Sequence, residues 1–346
     1  MADEAALQLN FLMRPLAPWL DDPTTEEICI NRPGELFVRQ RGEFRREPVP
    51  FDYFDLEDIA TLAGALRKQD VGPRNPLCAT ELPGGERLQI CMPPSVPIGT
   101  LSMTIRKPGR SVSPLASVTG RYEIARWNKW HGRNETAQRD YGELLALYDA
   151  GSLQAFLEKA VQARLTILLC GATGSGKTTM SKTLIASIPV HERLITIEDT
   201  LELVISQQNH VRLLYSKDNI GLSRVTAESL LQASLRMKPD RILLQELRDD
   251  AAWTYINEVV AGHPGSITTI HGSNPEQAFK RLFALVKGSP QGGRWDDRTL
   301  MNFLSSAVDL IIPFHNDGPL YEIREVWFAP DAARRGESAA NLLMAA

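Results

Sequence analysis

Residues 165–178 read LTILLCGATGSGKT. The first six form a short, bounded apolar run, the pattern of a buried parallel strand. The remaining eight, 171–178, match the glycine-rich phosphate loop GxxxxGK[ST]. The residues that follow, TTMSKTLIASI, read as a helix. Strand, loop and helix in that order separate a phosphate cradle from a chance string. Gly171, Gly174 and Gly176 let the backbone turn tightly and approach anionic oxygens with no Cβ in the way. Backbone N–H groups of the loop, including those of Thr173 and Ser175, and of the first helical turn at Thr178 and Thr179 point at the anion, and the helix dipole adds to the attraction. Lys177 is expected to reach the β- and γ-phosphates, and the Thr178 hydroxyl to ligate Mg²⁺. The side chains of Thr173 and Ser175 read as plain loop residues. A nucleoside triphosphate with Mg²⁺ is the expected ligand.

Outward from the loop, helical and strand-like segments alternate: LQAFLEKAV, LTILLC, the loop helix, RLITIED, SLLQASLRM, RILLQE and SITTIH. That order gives a mainly parallel sheet flanked by helices, an α/β fold. Acids at the carboxyl end of a parallel strand sit where nucleotide sites form in open α/β sheets. Glu198 and Asp199 close RLITIED in that position, and a solvated Glu-Asp pair is the plainer alternative. Glu246 closes RILLQE and is the expected catalytic base, able to polarise water or to hold Mg²⁺ through water. A strand-end ion pair with Arg248 is the alternative there. His263 and His271 flank the strand SITTI; eight residues apart is not a usual metal spacing. A γ-phosphate sensor, or a link between nucleotide state and conformation, is the sharper reading, with a structural histidine the plainer alternative for either alone.

The first part of the chain, 1–118, mixes short strands with one or two helices. EEICINR and ELFVRQ, joined by Pro33-Gly34, form a hairpin; 55–67 carries apolar residues at helical spacing. In TLSMTIRK, Leu101, Met103 and Ile105 share one face and Ser102, Thr104 and Arg106 the other. Phosphoryl chemistry needs cations beyond the loop lysine. Arg87 in GERLQI and Arg106 in MTIRKP can supply them if the nucleotide lies between domains or subunits. An isolated arginine on a strand is otherwise a surface residue.

Residues 119–150 read as an interdomain linker with helix in its second half. Arg126, Trp127, Lys129 and Trp130 within it could touch lipid headgroups or a partner subunit, or simply fold onto their own domain. Residues 151–331 form the second domain and 332–346 a frayed tail. The net charge of −4 argues against a protein whose main act is gripping nucleic-acid backbone. Four scattered cysteines, with no CxxC pair, fit neither a zinc site nor a disulfide frame and suggest a reducing compartment. The acidic start MADEAALQ is no secretory leader, and no apolar run approaches the ~20 residues of a membrane span. A cytoplasmic or peripherally membrane-attached protein is expected.

With these segments in place the chain resembles the secretion-ATPase superfamily, specifically its type IV secretion and conjugation branch. The resemblance covers nearly the whole chain, through CINRPGELFV, GERLQI, TIRKP, GATGSGKTT, LITIEDTLEL, LRMKPDRILLQELRD and GHPGSITTIHG in order. It puts the family's Walker A motif on 171–178 and its acidic box on Glu198, Asp199 and Glu202. The Walker B glutamate falls on Glu246 and the histidine box on His263 and His271. Arg87 and Arg106 fall in first-domain motifs whose arginines approach phosphates in this family. The resemblance implies a homo-hexameric ring of subunits with a small N-terminal α/β domain and a C-terminal RecA-like P-loop NTPase domain. It also implies a place on the cytoplasmic face of the bacterial inner membrane, where ATP hydrolysis powers pilus assembly and passage of protein or DNA. A second ATPase, a coupling protein and inner-membrane channel subunits are the implied partners.

Two features depart from the family pattern. Gln245 stands where Gly or Ala is commoner, and the linker is long, as in members whose domains swap between neighbours. A type II secretion motor, a nucleotide-gated scaffold and a RecA-like helicase are the competing readings. The first often carries a tetracysteine zinc module, absent from this sequence; the intact Lys177, Thr178 and Glu246 argue against the second. The third favours basic or aromatic stacking loops beside the core.

Overall fold

A computed structural model describes residues 2–109, 141–217, 222–249, 251–260, 262–316 and 321–337. In the first part, six strands form an antiparallel sheet: β1 (Thr25–Arg32), β2 (Glu35–Gln40), β3 (Glu43–Pro48), β4 (Leu77–Glu81), β5 (Arg87–Cys91) and β6 (Ser102–Arg106). Their order is β3-β2-β1-β6-β5-β4. The β1–β2 turn falls at Pro33-Gly34, as the sequence indicates; β2 and β3 are joined through Arg41 and Gly42, both at positive φ, as two-residue hairpins require. The helix Tyr53–Leu66 opens with a reciprocal capping box between Asp52 and Asp55. It buries Leu56, Ile59, Ala60 and Ala63 along one stripe. Together with the helix Ala2–Leu12 it encloses a core that includes Leu9, Ile28, Leu88 and Ile105.

The second part is built on parallel strands: β7 (Ile167–Gly171), β8 (Leu194–Glu198), β9 (His210–Leu214), β10 (Arg241–Leu244), β11 (Ile267–Ile270) and β12 (Leu310–Asn316). One ladder runs β10-β8-β9 and another β11-β7-β12. β10 and β11 lie side by side in the same direction. The Ser266 hydroxyl donates to the Ile242 carbonyl (3.0 Å) near their starts, and the Leu247 N–H to the Thr269 carbonyl (2.8 Å) near their ends. The short strands β13 (Tyr321–Glu322) and β14 (Trp327–Phe328) pair antiparallel with β12. Every residue of β7 is buried, so the apolar run is a central strand covered on both faces.

The helix Gly142–Asp149 forms in the second half of the expected linker, but it belongs to this core. Leu144 is buried there, and the Tyr148 ring packs against Phe156 and Phe328. The rest of the linker, with Arg126, Trp127, Lys129 and Trp130, lies outside the described residues. The expected tail likewise gives up Ala332, buried in the helix Ala329–Arg334.

The two parts meet along the β9 edge and at the amino-terminal ends of β8, β9 and β10. The pin is Arg193, whose guanidinium is fully buried. It donates to Asn31 Oδ1 (2.8 Å) and Thr104 Oγ1 (3.4 Å) of the first sheet and to the Met237 carbonyl (2.9 Å). Asn209 accepts from it as well. The polar face of β6 is therefore not a solvent face: Ser102 and Thr104 are buried, and only Arg106 emerges.

Candidate active site

β7 ends at Gly171, and the chain turns through Gly174 (φ +79°) and Gly176 (φ +95°) into the helix Lys177–Ala186. A Cβ at Gly171 would strike Ser175 Oγ and lie 2.6 Å from the Phe314 carbonyl oxygen, so glycine there is a packing requirement. Gly176 caps the helix without a side-chain acceptor, which leaves its first N–H groups aimed out of the loop. Lys177 Nζ folds over the loop and donates to the carbonyls of Gly171 (2.7 Å) and Ala172 (2.6 Å). Ser175 Oγ is buried with no hydrogen-bond partner. A glycine cradle, open helical N–H groups, a lysine and an unsatisfied hydroxyl fit a polyphosphate. Thr178 and Thr179 of the first helical turn line the cavity beside the loop, and Thr173 is exposed on the loop.

The strands carry the other groups to the same edge. β10 delivers Glu246 and β11 delivers His271, whose Nε2 lies 3.1 Å from Glu246 Oε1. That pair is close but makes no hydrogen bond, and Oε1 is buried without a hydrogen-bond partner. Glu246 Oε2 pairs with Arg248, which also reaches Asp199 Oδ2 at 3.4 Å. Burial pushes the Glu246 carboxyl up, but Arg248, His271 and Lys177 together outweigh it and hold the group below the usual glutamate range. Burial in turn pulls the Lys177 ammonium down, with Glu246 opposing. The expected base is thus an ionised carboxylate with one free buried oxygen, and the Arg248 pairing coexists with it.

Glu198, expected to take part in catalysis, is bound otherwise. It is fully buried, and its oxygens accept from Arg212 Nε (3.0 Å) and Nη2 (2.7 Å), the Thr196 hydroxyl (2.7 Å) and the N–H groups of Glu202 (3.0 Å) and Leu203 (2.9 Å). Five donors saturate a carboxylate, so Glu198 organises the 198–203 turn rather than meeting substrate. Asp199 and Glu202 are linked through Gln245. Its Oε1 accepts from the Asp199 N–H (3.1 Å), and its Nε2 donates to Glu202 Oε2 (3.1 Å). The larger residue in place of Gly or Ala thus ties the end of β10 to the turn after β8.

His263 lies away from the phosphate loop. It precedes β11 while His271 follows it, so the two sit at opposite ends of the strand. Burial lowers the His263 pKa, and its surroundings are Pro239, Lys238, Asp240 and Arg164, none of them at the phosphate loop. Arg87 and Arg106 stand opposite one another on β5 and β6. They line a cavity of about 770 Å³ with Glu27, Arg236 and Lys238. That cavity adjoins the amino-terminal end of β10, whereas the phosphate loop lies at the carboxyl-terminal end of β7. The fold therefore brings Lys177, Thr178, Glu246 and His271 to one edge and leaves Arg87 and Arg106 away from it within the chain. Sequence reasoning missed Arg212, and it missed Phe314 and Tyr321, which wall the phosphate-loop cavity; no local spacing marks them, since they come from strands more than a hundred residues downstream.

Residues 136–314 match the family model described as type II/IV secretion system protein. The chain is 65% identical over 336 residues to Protein VirB11 of Rhizobium radiobacter, covering 97% of this chain and 98% of the relative. It is 40% identical over 339 residues to the type IV secretion system protein VirB11 of Bartonella henselae, with 95% of each covered. The crystal structure of the VirB11 ATPase from the Brucella suis type IV secretion system, in complex with sulphate, superposes with a TM-score of 0.88 at 40% identity, over 96% of this chain and 98% of that one. The chain belongs to the type II/IV secretion system protein family, within its type IV secretion branch of ATPases.

Proposed function

We propose that the chain hydrolyses ATP with Mg²⁺ as a homo-hexameric ring motor at the cytoplasmic face of the inner membrane. There it would drive type IV secretion of protein or conjugative DNA alongside a second ATPase, a coupling protein and channel subunits. No helix among the described residues is long and apolar enough to cross a membrane, so attachment would be peripheral. The observation that carries the catalytic part is the convergence of the Lys177 loop with Glu246, whose Oε1 is buried and accepts no hydrogen bond.

In this reading the loop N–H groups and Lys177 hold the β- and γ-phosphates and fix the terminal phosphorus in place. Glu246 Oε1 accepts the proton of an attacking water, while Arg248 on Oε2 keeps the carboxylate ionised and oriented. His271 is the polar neighbour through which Glu246 would sense the nucleotide. The Thr178 hydroxyl, with Glu246 through water, offers the hard oxygen donors that Mg²⁺ takes; bound there, the ion would neutralise charge on the phosphates. Arg87 and Arg106, remote from their own loop, would serve the loop of a neighbouring subunit.

Two variants test the chemistry. Lys177→Ala should lose ATP affinity and turnover together, by about a hundredfold or more in rate. Glu246→Gln should still bind Mg²⁺-ATP in equilibrium dialysis but turn over at roughly a thousandth of the wild-type rate or less. Near-normal turnover in the first would remove the loop from the mechanism, and in the second it would move the base elsewhere.

A further inference from the structure

The phosphate loop forms only one wall of the cavity beside it. That cavity, about 550 Å³, continues along the helix past Met180 and Thr183 to Phe314 and Tyr321, and Lys177 is the single charged residue among the described residues on its lining. A ligand that fills it is a polyanion at one end and flat and weakly polar at the other.

The aromatic wall is placed by the fold. Phe314 stands opposite Gly171 in the β12–β7 register, beside the start of the loop. β13 then pairs back on β12, with Tyr321 opposite Asn316, and Asn316 Nδ2 donates to the Gly174 carbonyl at 3.3 Å. The Tyr321 ring comes to rest against Gly176, where a Cβ would lie 3.3 Å from its Cδ1. Phe314 is 6% exposed, a packed core ring, whereas Tyr321 is 65% exposed and offers its ring to the solvent side of the phosphate cradle.

We propose that Tyr321, on the same cavity wall as Phe314, is the nucleobase platform of the site and stacks on the purine ring of the bound nucleotide. The inference rests on the reading of 171–178 as an ATP phosphate cradle and extends it to the base. Stacking on an aromatic face is tolerant of base identity but grows with ring size. The site should therefore separate nucleoside triphosphates sharply from bare polyphosphate, and purines modestly from pyrimidines.

The test is isothermal titration of the full chain with ATP and, separately, with inorganic tripolyphosphate, both with Mg²⁺. Tyr321→Ala should weaken ATP about tenfold or more and leave tripolyphosphate unchanged, which also shows that the variant is folded. Tyr321→Phe should bind ATP within about twofold of wild type. Tyr321→Leu, apolar but ringless, should behave as the alanine variant does. Unchanged ATP affinity in Tyr321→Ala, or equal weakening of ATP and tripolyphosphate, overturns the proposal, because the tyrosine would then be idle or merely support the loop. Wild type that binds neither probe would overturn the phosphate-cradle reading itself, a distinct failure.

Discussion

Glu27 on β1 is a carboxyl buried opposite Arg106, 3.6 Å from its Nε, with one oxygen that takes no hydrogen bond. Burial raises its pKa from 4.5 to about 7, and Arg106, Lys238, Arg39 and Arg193 offset only part of that. A carboxyl whose folded pKa exceeds its unfolded value supports the fold fully below about 4.5 and loses that support as pH rises through about 7. Glu27→Gln should therefore melt with wild type at about pH 5 and above it at about pH 8, by calorimetry. Equal melting at both would mean that Glu27 reaches water or a cation the structure does not give it. Single residues differ in how far the sequence discloses them. Lys177, Thr178 and Glu246 are legible because each sits at a fixed offset from a glycine or at the end of an apolar run. Glu198 satisfies the same rule yet is saturated by five donors, two of them from Arg212, a partner 14 residues on and across the β8–β9 ladder. Spacing locates a carboxylate; it does not tell whether its lone pairs are already taken.

The β7–loop–helix unit depends on its neighbour β12 at one atom. The Phe314 carbonyl crowds Gly171, so Gly171→Ala must push β12 away or tilt the loop. The expected cost is about 1–3 kcal/mol of stability and a roughly tenfold or greater loss of tripolyphosphate affinity, measured by melting and by titration. A variant with wild-type values in both would show that the strands have slack at this point. The elements themselves were unevenly readable. β7, β8 and β10 are short, mainly apolar runs, and the hairpin of β1 and β2 has its turn signal. β3 (EFRREP) is a polar edge strand with no apolar face for a pattern to show. β12 carries Pro313, which argues against a strand inside a sheet. Pro313 is tolerated because β14 pairs at Leu310 and Ile311, and β13 only at His315 and Asn316. The missing N–H falls between the two pairings, and the strand that carries Phe314 was hidden by it.

At the scale of the molecule, the nucleotide loop and the first-part arginines lie at opposite ends of one parallel sheet, fixed there by the Arg193 pin. If the arginines serve a neighbour, two individually dead variants should rescue each other. Lys177→Ala keeps its arginines, and Arg106→Ala keeps its loop. Mixed in equal amounts, they should recover roughly a quarter of the wild-type rate, since a site needs an intact loop beside an intact arginine. No recovery would place Arg106 on its own chain's nucleotide, and an Arg106→Ala variant active by itself would place the residue outside catalysis. Such a contact is heterologous: one patch of each copy meets a different patch of the next, and the relation repeats in one direction. An open row of copies always strands one loop without arginines at its head and one set of arginines with nothing to hold at its tail. Only a row that bites its own tail leaves neither. Specific activity per chain would then gauge how completely the assembly has come full circle.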